Sequence, residues 1–203
     1  MTRKVERRAP MAEPFARFLE LLQQAKAFPR DQLPEPTAFS LATCASGQPS
    51  VRMLLLKHVD EHGFVFYTNY ESRKGRELLA NPSAAMCFHW QQMEIQVRVE
   101  GRVSPVEGSE ADAYFASRGR GSQIGAWASE QSRPISDEQQ FAQRVAEFER
   151  RFEGAPVPRP PYWSGFRLLP ERIEFWKGMA SRLHRRELYT RRDDAWHVEI
   201  LFP

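Results

Sequence analysis

Residues 51–75, VRMLLLKHVDEHGFVFYTNYESRKG, constrain the fold and the chemistry of this chain more than any other segment. The apolar run predicts a buried strand, residues 61–63 predict a tight turn, and a second strand then leads into a helix near Ser72. Arg52 and Lys57 lie within the first apolar run. Burying a cation there is costly unless an anion neutralises it, so the segment indicates a bound anion.

A second pair of cations, Arg73 and Lys74, follows a cluster of hydroxyl side chains formed by Tyr67, Thr68 and Ser72. The first turn of a helix offers free backbone N–H groups and the positive end of the helix dipole, and both favour anions. A solvated edge strand followed by a capped helix is the alternative interpretation. Because the two groups of cations lie on consecutive elements, they favour a phosphate site.

The rest of the chain predicts a mainly β, antiparallel fold with flanking helices, which is an α+β class. Strands are expected at residues 37–44, 50–59, 64–69, 83–90, 94–106, 162–169, 172–176, 187–191 and 196–202. In residues 94–106, Ile95, Val97 and Val99 alternate with polar residues, which indicates one buried face and one polar face. Short turns between such strands favour a barrel over a doubly wound sheet.

Helices are expected at residues 14–28, 72–80, 109–117 and 122–129, and from Ser136, where Gln139 would complete a capping box. The last helix carries an apolar stripe typical of a core face: Phe141, Val145, Phe148 and Phe152. A length of 203 residues suits one domain. We expect that domain to span residues 13–203, behind a mobile basic arm at residues 1–12.

Composition excludes several classes of protein. The formal charge of +3 is modest and the basic residues are interspersed with acids, which argues against a nucleic-acid-binding module. No apolar run approaches the length of a membrane span, and the N-terminus lacks the apolar segment of a secretory signal. Cys44 and Cys87 indicate neither a disulfide framework nor a metal site. The histidines show no metal-binding pattern, so we expect no metal. The lack of a membrane span, a secretory signal and a disulfide framework leads us to expect a cytoplasmic protein.

Several motifs occur in a fixed order: RMLLLK, FYTN, SRKG, EIQV, YFASR, SQIGAW, QSR, IEFW and RLHRR. Together they resemble the pyridoxine 5'-phosphate oxidase family over residues 36–203. The resemblance implies an FMN-binding split β-barrel with Greek-key-like strands, in a homodimer that binds FMN at the subunit interface. It also implies oxidation of pyridoxine 5'-phosphate or pyridoxamine 5'-phosphate to pyridoxal 5'-phosphate, with O2 as acceptor and release of H2O2.

By this resemblance, Arg52 binds the FMN phosphate, and Lys57 contacts both the flavin and the substrate. The full set of expected FMN contacts is Arg52, Lys57, Tyr67, Thr68, Arg73, Lys74, Gln96, Gln131, Ser132, Trp176 and Arg186. On a regular strand Arg52 and Lys57 would point to opposite faces, so a bulge or a strand end is needed for them to act together. A cation such as Arg186 favours the anionic reduced flavin. For Trp176, a place in the core is the alternative.

The resemblance places the substrate against Lys57, Tyr114, Arg118, Ser122, Arg182 and His184. Tyr114, Arg118 and Ser122 would face together on one continuous helix, or around a helix end followed by a glycine turn. Gly119 and Gly121 make the continuous helix doubtful. A surface arginine beside a flexible turn is the alternative interpretation of Arg118.

Arg182 and His184 are the expected catalytic residues, and by the resemblance they flank the pyridine ring and orient the carbon that loses hydride. In an extended segment, residues i and i+2 share a face. Arg185 stands where the family usually has Asp, so we expect another acid, Glu174 or Glu187, to restore local order. Arg7 and Arg8 could stand in for an N-terminal arginine pair that folds over the substrate in the family.

Two alternatives stay open at this point. A related split-barrel FMN oxidase of the phenazine-biosynthesis type would share the flavin site but act on another substrate. The combined presence of Lys57, Tyr114, Arg118 and Arg182 argues against it. The second alternative is a flavin-binding or haem-binding split barrel without turnover.

Overall fold

The computed structural model describes residues 12–193 and 195–203, and within them nine strands form one antiparallel sheet. The strands are β1 (Ala38–Ala45), β2 (Gln48–Leu55), β3 (His58–Asp60), β4 (Gly63–Asn69), β5 (Ser83–Trp90), β6 (Ile95–Pro105), β7 (Trp163–Lys177), β8 (Arg185–Arg192) and β9 (Ala195–Leu201). The helices are α1 (Glu13–Lys26), α2 (Arg73–Ala80), α3 (Gly108–Ser117), α4 (Arg120–Ala128) and α5 (Glu138–Arg151). The predicted antiparallel α+β fold is confirmed.

The sheet closes on itself where β2 passes into β3. The strand order is β2-β1-β5-β6-β7-β4-β3, so consecutive strands of the chain form the two ends of this path. The Leu56 N–H donates to the Thr37 carbonyl and the next N–H, of Lys57, donates to the Val65 carbonyl, both at 2.9 Å. The single strand predicted over residues 50–59 is therefore wrong, because the backbone changes its partner at Leu56.

The long strand β7 is the spine of the sheet. It pairs with β6 along its length, with β4 through its first half and with β8 through its second half. The sequence analysis predicted two strands here, at residues 162–169 and 172–176, whereas the structure has one. Pro170 cannot donate a ladder hydrogen bond, which would break a regular strand. Pro170 instead lies opposite Gly101, where the register shifts in a bulge that absorbs the break.

An aromatic core fills the interior of the sheet and is covered by α1. Phe18 of α1 is fully buried, and its ring contacts Phe64 and Phe88 edge-on at centroid distances of 4.9 Å. Edge-to-face aromatic pairs add to the free energy of burial. The apolar stripe of α1 predicted from its spacing is thus confirmed as the face that packs on the sheet.

Helix α2 begins directly after β4, and this connection sets the geometry of the predicted phosphate site. Ser72 is its N-cap, since the Ser72 hydroxyl accepts from the Gly75 N–H at 3.2 Å. The same hydroxyl donates to the Asn69 carbonyl at 2.6 Å, which fixes the helix start to the end of the strand. The predicted helix start is confirmed, with Arg73 and Lys74 in the first turn.

Three other helix starts differ from the sequence prediction. α3 begins at Gly108 without a side-chain cap, so the predicted Ser109 cap is wrong. α4 begins two residues early, at Arg120. α5 is capped by Asp137 rather than Ser136, with Asp137 accepting from the Gln140 N–H at 2.8 Å. On α5, Phe148 and Phe152 are buried as predicted, whereas Phe141 is 40% exposed.

Some predictions fall outside the described residues: the arm at residues 1–11 with its Arg7–Arg8 pair, and Asp194. No helix within residues 12–193 or 195–203 has the length and apolar character needed to cross a membrane. In the same ranges, no three His, Cys, Asp or Glu side chains are grouped to hold a metal ion. The absence of a metal and the single-domain organisation stay predictions.

Replacing Gly75 by Ala should destabilise the protein by about 1–3 kcal/mol, the usual cost of overpacking. An added Cβ would collide with the carbonyl oxygens of Asn69 and Tyr70, which cannot move without shifting the helix start. Gly121 is the matched control, because an added Cβ there meets nothing within 4 Å. Urea unfolding of both variants tests this, and equal stability of Gly75→Ala and Gly121→Ala would contradict it.

Candidate active site

A cavity of about 720 Å³ lies beside the end of β2, the end of β4 and the turn between α3 and α4. Several residues predicted from the sequence line it: Lys57, Tyr67, Thr68, Tyr114, Arg118, Ser122 and Gln131. β2 ends at Leu55, so Lys57 is released from the strand and reaches the cavity. The strand end that the sequence required for Arg52 and Lys57 to act together is therefore present.

The turn between α3 and α4 places the three substrate residues around one space. α3 ends at Ser117, Arg118 has an extended backbone with φ −75° and ψ 146°, and α4 begins after Gly119. Tyr114 and Ser122 thus approach the cavity from different helices, with Arg118 between them. The helix end followed by a glycine turn is confirmed, and the continuous helix is excluded.

Arg118 is held by aromatic rings instead of an acid. Its guanidinium lies 4.7 Å from the centroid of Trp163 and 5.5 Å from that of Phe115, in cation–π contact. Its Nη1 atom is buried and has no hydrogen-bond partner among the described residues. Burial lowers the pKa of Arg118, but an arginine stays charged at neutral pH. A buried cation with a free donor fits an anionic ligand.

Trp163 also completes a stack of parallel rings along the cavity wall. Tyr67 stacks on Tyr114 at 3.9 Å and on Trp163 at 5.4 Å between ring centroids. Burial, and then the neighbouring Glu110, raise the pKa of Tyr67 to about 12, so its phenol stays a neutral donor. Sequence reasoning missed Trp163, because a lone aromatic after a Pro-rich loop gives no signal of a ligand site.

Lys74 lies behind the cavity wall and is almost fully buried. Its ammonium donates to Thr68 Oγ1 at 3.0 Å, to Ser72 Oγ at 3.2 Å and to Gln131 Oε1 at 2.8 Å. Burial, and then the charge of Arg52, lower the pKa of Lys74 to about 8, while Glu77 opposes the shift. Two of its three acceptors line the cavity, so Lys74 connects the hydroxyl cluster to the ligand space.

Arg52 and Arg73 converge next to Lys74 on a buried carboxylate, Glu77. Arg52 Nη2 lies 3.1 Å and Arg73 Nε 2.9 Å from its oxygens. The Arg73 backbone N–H donates to Ser132 Oγ at 3.2 Å, which attaches the loop after α4 to the same helix start. Sequence reasoning missed Glu77, and the cluster of three cations around one acid matches the anion site predicted there.

The remaining predicted FMN contacts form a second group on the face of β6, β7 and β8. Gln96, Trp176 and Arg186 are direct cross-strand neighbours. Arg186 donates to both oxygens of Glu174, at 2.8 and 3.2 Å, and these bonds hold the pKa of Glu174 low against the opposing effect of burial. Trp176 is half-buried at this surface rather than a core residue.

His184 joins this second group, whereas the extended segment predicted around it is wrong. The His184 ring lies 4.5 Å from that of Trp176, and its Nδ1 accepts from the Met179 N–H at 3.3 Å. Arg182 ends a short 3₁₀ turn (Ala180–Arg182) with a left-handed φ of 61°. Arg182 and His184 therefore do not share a face through the side-chain alternation of a strand, because the backbone turns at Arg182.

Both acids expected to compensate for Arg185 are close to it in the fold, and one of them, Glu187, pairs with it directly. Arg185 is exposed and pairs with Glu187 at 2.6 Å, and Glu187 also pairs with Arg17 at 2.6 Å. Glu174 pairs with Arg186. The guanidinium at position 185 is thus neutralised locally.

Within residues 12–193 and 195–203, the two groups do not line one cavity. Gln96, Trp176, Arg182, His184 and Arg186 are not among the residues that line the space beside Arg118. Both groups were predicted to contact one flavin, so a single chain accounts for only part of the predicted site.

The family follows from comparison with known proteins. Residues 25–152 match the family described as "Pyridoxamine 5'-phosphate oxidase". The chain belongs to the pyridoxamine 5'-phosphate oxidase family. Residues 163–203 match the "Pyridoxine 5'-phosphate oxidase C-terminal dimerisation region", which supports a homodimer. The family, the class of enzyme and the FMN cofactor predicted from the sequence are confirmed, while the roles of individual residues stay predictions.

Relatives in this oxidase family are similar along nearly the whole chain. The "Pyridoxine/pyridoxamine 5'-phosphate oxidase" of Myxococcus xanthus is 54% identical over 94% of this chain and 92% of its own length. That of Gluconobacter oxydans is 53% identical over 95% of both. A solved structure, PhzG from Burkholderia lata 383 in complex with tetrahydrophenazine-1-carboxylic acid, is 33% identical over 96% of this chain and 94% of that chain, with a TM-score of 0.88.

Replacing Lys74 by Ala should weaken FMN binding about ten- to a hundredfold, the usual value of one charge-assisted hydrogen bond. In the unmodified protein, FMN affinity should fall as the pH rises through about 8, because Lys74 then loses its proton. The stability of the protein without FMN should instead rise with pH in this range. Since folding lowers this pKa from 10.5, Lys74 adds stability as the pH rises from about 8 toward 10.5.

Flavin fluorescence titrations at pH values on both sides of 8 measure this dependence. Arg76→Ala is the matched control, because Arg76 lies on the same helix but donates to the Glu71 carbonyl, away from the cluster. If Lys74→Ala binds FMN with unchanged affinity, or if its FMN affinity keeps the same pH dependence, the FMN phosphate does not bind near Lys74.

Proposed function

We propose that this protein oxidises pyridoxine 5'-phosphate and pyridoxamine 5'-phosphate to pyridoxal 5'-phosphate, with FMN as cofactor, O2 as acceptor and H2O2 as second product. Membership of the oxidase family supports the reaction. The observation that carries the substrate is the half-buried Arg118, which lines the cavity, has one guanidinium nitrogen without a hydrogen-bond partner, and forms no salt bridge with an acid among the described residues. Such a group requires an anionic ligand, and a phosphate ester supplies one.

The residues around Lys74 fit the phosphate of FMN. Arg52, Arg73 and Lys74 bring three cations against one acid at the start of a helix. A phosphate monoester carries about 1.5 to 2 negative charges near neutral pH, which balances this excess. FMN held by these residues would supply the hydride acceptor for the substrate carbon and the route of the electrons to O2.

The substrate would lie in the cavity with its phosphate toward Arg118. Tyr114 and Ser122 flank that guanidinium from α3 and α4, and Lys57 enters from the end of β2. The aromatic stack of Tyr67, Tyr114 and Trp163 gives this wall of the cavity a flat, largely apolar surface. These residues bind and orient the substrate, and much of the rate of hydride transfer depends on such orientation.

The second group of predicted residues would come from the partner subunit, so that FMN lies at the interface of a homodimer. Apolar side chains of β2 point outward, with Val51 68% and Met53 61% exposed. Those of β9 do the same at Val198 and Ile200. Exposed apolar surface on this scale favours a partner, and a second copy of the chain would cover it. Gln96, Trp176 and Arg186 would then reach a flavin bound by the other chain.

Arg182 and His184 would act on the substrate ring in this assembly. The His184 ring is fixed against Trp176, and its Nδ1 is occupied by the Met179 N–H. In the neutral ring, Nε2 then carries the proton and can donate to the substrate. Arg182 is exposed and has a left-handed backbone, which leaves its guanidinium free to orient the ring. We also propose that the protein has a single domain and is cytoplasmic.

A phenazine-type oxidase is the second candidate, because the PhzG structure has a closely similar fold, with a TM-score of 0.88. Its bound ligand, tetrahydrophenazine-1-carboxylic acid, carries no phosphate. The two candidates therefore differ in what Arg118 must bind.

An anaerobic spectrum tests the proposal. The purified protein is reconstituted with FMN and mixed with pyridoxine 5'-phosphate without oxygen, and the flavin absorption should bleach and return on admission of air. Unphosphorylated pyridoxine is the control and should bleach it far more slowly. Bleaching by a dihydrophenazine acid alone would favour the second candidate, and a protein that cannot bind FMN would end the proposal.

Arg118→Ala should raise the KM for pyridoxine 5'-phosphate about a hundredfold, because a buried charge-assisted contact to phosphate is lost, while FMN stays bound. Arg120→Ala is the charge-matched control. Arg120 donates only to the carbonyls of Phe152 and Ala155, so its loss should lower stability and leave KM nearly unchanged. Loss of flavin from Arg118→Ala with an unchanged KM would reverse the assignment of the two anion sites.

A further inference from the structure

An acid at the centre of a phosphate site is unexpected, since its charge repels the ligand. The Glu77 carboxylate nevertheless touches two of the three cations assigned to the FMN phosphate and is almost fully buried. Removing a charge from water without a function is costly. The contacts of this carboxylate indicate what it contributes.

Glu77 Oε2 accepts hydrogen bonds from two hydroxyls, Thr43 Oγ1 at 2.5 Å and Ser50 Oγ at 2.6 Å. The same hydroxyls accept from the guanidinium of Arg52, Thr43 from Nη1 and Ser50 from Nη2, each at 2.5 Å. A hydroxyl has one proton, and here it goes to the carboxylate. The lone pairs are therefore left to face Arg52, which can only donate, so the two hydroxyls connect the guanidinium to the Glu77 carboxylate.

The other oxygen of the carboxylate, Oε1, accepts from Arg73 Nε at 2.9 Å. Glu77 thus links α2 to β1 and β2, and it orients two guanidinium groups from different elements. Although burial raises the pKa of Glu77, hydrogen bonds from Ser50, Thr43, Arg73 and Arg52 lower it to about 2. The carboxylate is ionised throughout the physiological range and cannot serve as a proton donor.

We propose that Glu77 is a positioning residue for the FMN phosphate: it holds the Arg52 and Arg73 guanidinium groups in their binding geometry before the cofactor arrives. The inference rests on the proposed function, because it assumes that this cluster binds FMN. Glu77 costs some attraction for the phosphate, but it spares the ligand the ordering of two long side chains. It also reduces the charge of the free cluster from three cations to a net of about +2, which matches a phosphate dianion.

Glu77→Gln tests the proposal. A glutamine presents one acceptor and one NH2 donor, so its NH2 must face either Arg73 Nε or the cluster of Arg52 and its hydroxyls. One cation is then released, and the affinity for FMN should fall at least about tenfold. Riboflavin has the same ring without the phosphate, so its affinity should be unchanged. A structural effect of Glu77 on the whole pocket would weaken both ligands equally.

The pH profile gives a second readout. The charges that act on Lys74 are those of Arg52 on β2 and Glu77 on its own helix; its hydrogen-bond partners, Thr68, Ser72 and Gln131, are uncharged. Without the Glu77 charge, Arg52 acts on Lys74 unopposed. The decline of FMN affinity with rising pH should therefore begin below the value of about 8 expected for the unmodified protein.

Two further variants keep the test decisive. Glu71→Gln removes one negative charge just before α2, where Glu71 pairs with Arg133 at 3.3 Å, and should leave FMN affinity unchanged. If Glu77→Gln does not fold, Ser50→Ala decides. It removes one link between Arg52 and Glu77, and should lower FMN affinity about threefold or more without affecting riboflavin.

The inference would be overturned if Glu77→Gln bound FMN equally or more tightly, or if it lost affinity for FMN and riboflavin to the same extent. If Glu77→Gln does not fold, an unchanged FMN affinity in Ser50→Ala would overturn it. These results differ from failure of the proposed function, in which the unmodified protein itself does not bind FMN.

Discussion

The fold and the cavity both depend on two consecutive backbone hydrogen bonds: Leu56 donates to Thr37 on one side, and Lys57 donates to Val65 on the other. They join the two ends of the strand order, so that the sheet closes around its aromatic core. The same change of partner ends β2, which frees Lys57 from the alternation of a strand and brings it to the cavity. Closure of the barrel and placement of a ligand-binding cation thus have one cause in the backbone.

The structure stabilises buried cations beside this cavity in two different ways. Arg52 is held by an acid and two hydroxyls, which fix its orientation, and the acid offsets one of the three positive charges of the cluster. Arg118 is held by the faces of Trp163 and Phe115, which stabilise the charge without occupying its hydrogen-bond donors. The first arrangement suits a cofactor that stays bound, because it is rigid. The second suits a substrate that is exchanged in every turnover, because the free donor favours an incoming anion.

In the proposed homodimer, the face of β6, β7 and β8 would complete the site of the partner subunit. There Glu174 fixes Arg186 beside Trp176, and the His184 ring packs on the same indole. This side chain arrangement is already ordered in one chain, although it lines no cavity with Arg118. A preorganised surface of this kind loses little entropy on association, so the second subunit can complete a site without rearranging it.

The sequence by itself determined the order of motifs, the helix start at Ser72 with its cations, and the alternation that makes antiparallel strands. These features depend on residues close together in the chain. It also predicted Tyr114, Arg118 and Ser122 around a glycine turn, because local propensity decides where a helix ends. Only the tertiary structure revealed Glu77 and Trp163. Glu77 meets Thr43 across 34 residues, and Trp163 meets Arg118 only because β7 passes beneath α3. Trp163 has no neighbouring motif. Glu77 follows the SRKG motif, but its burial and its contacts with Thr43 and Ser50 depend on partners that the closed sheet brings close.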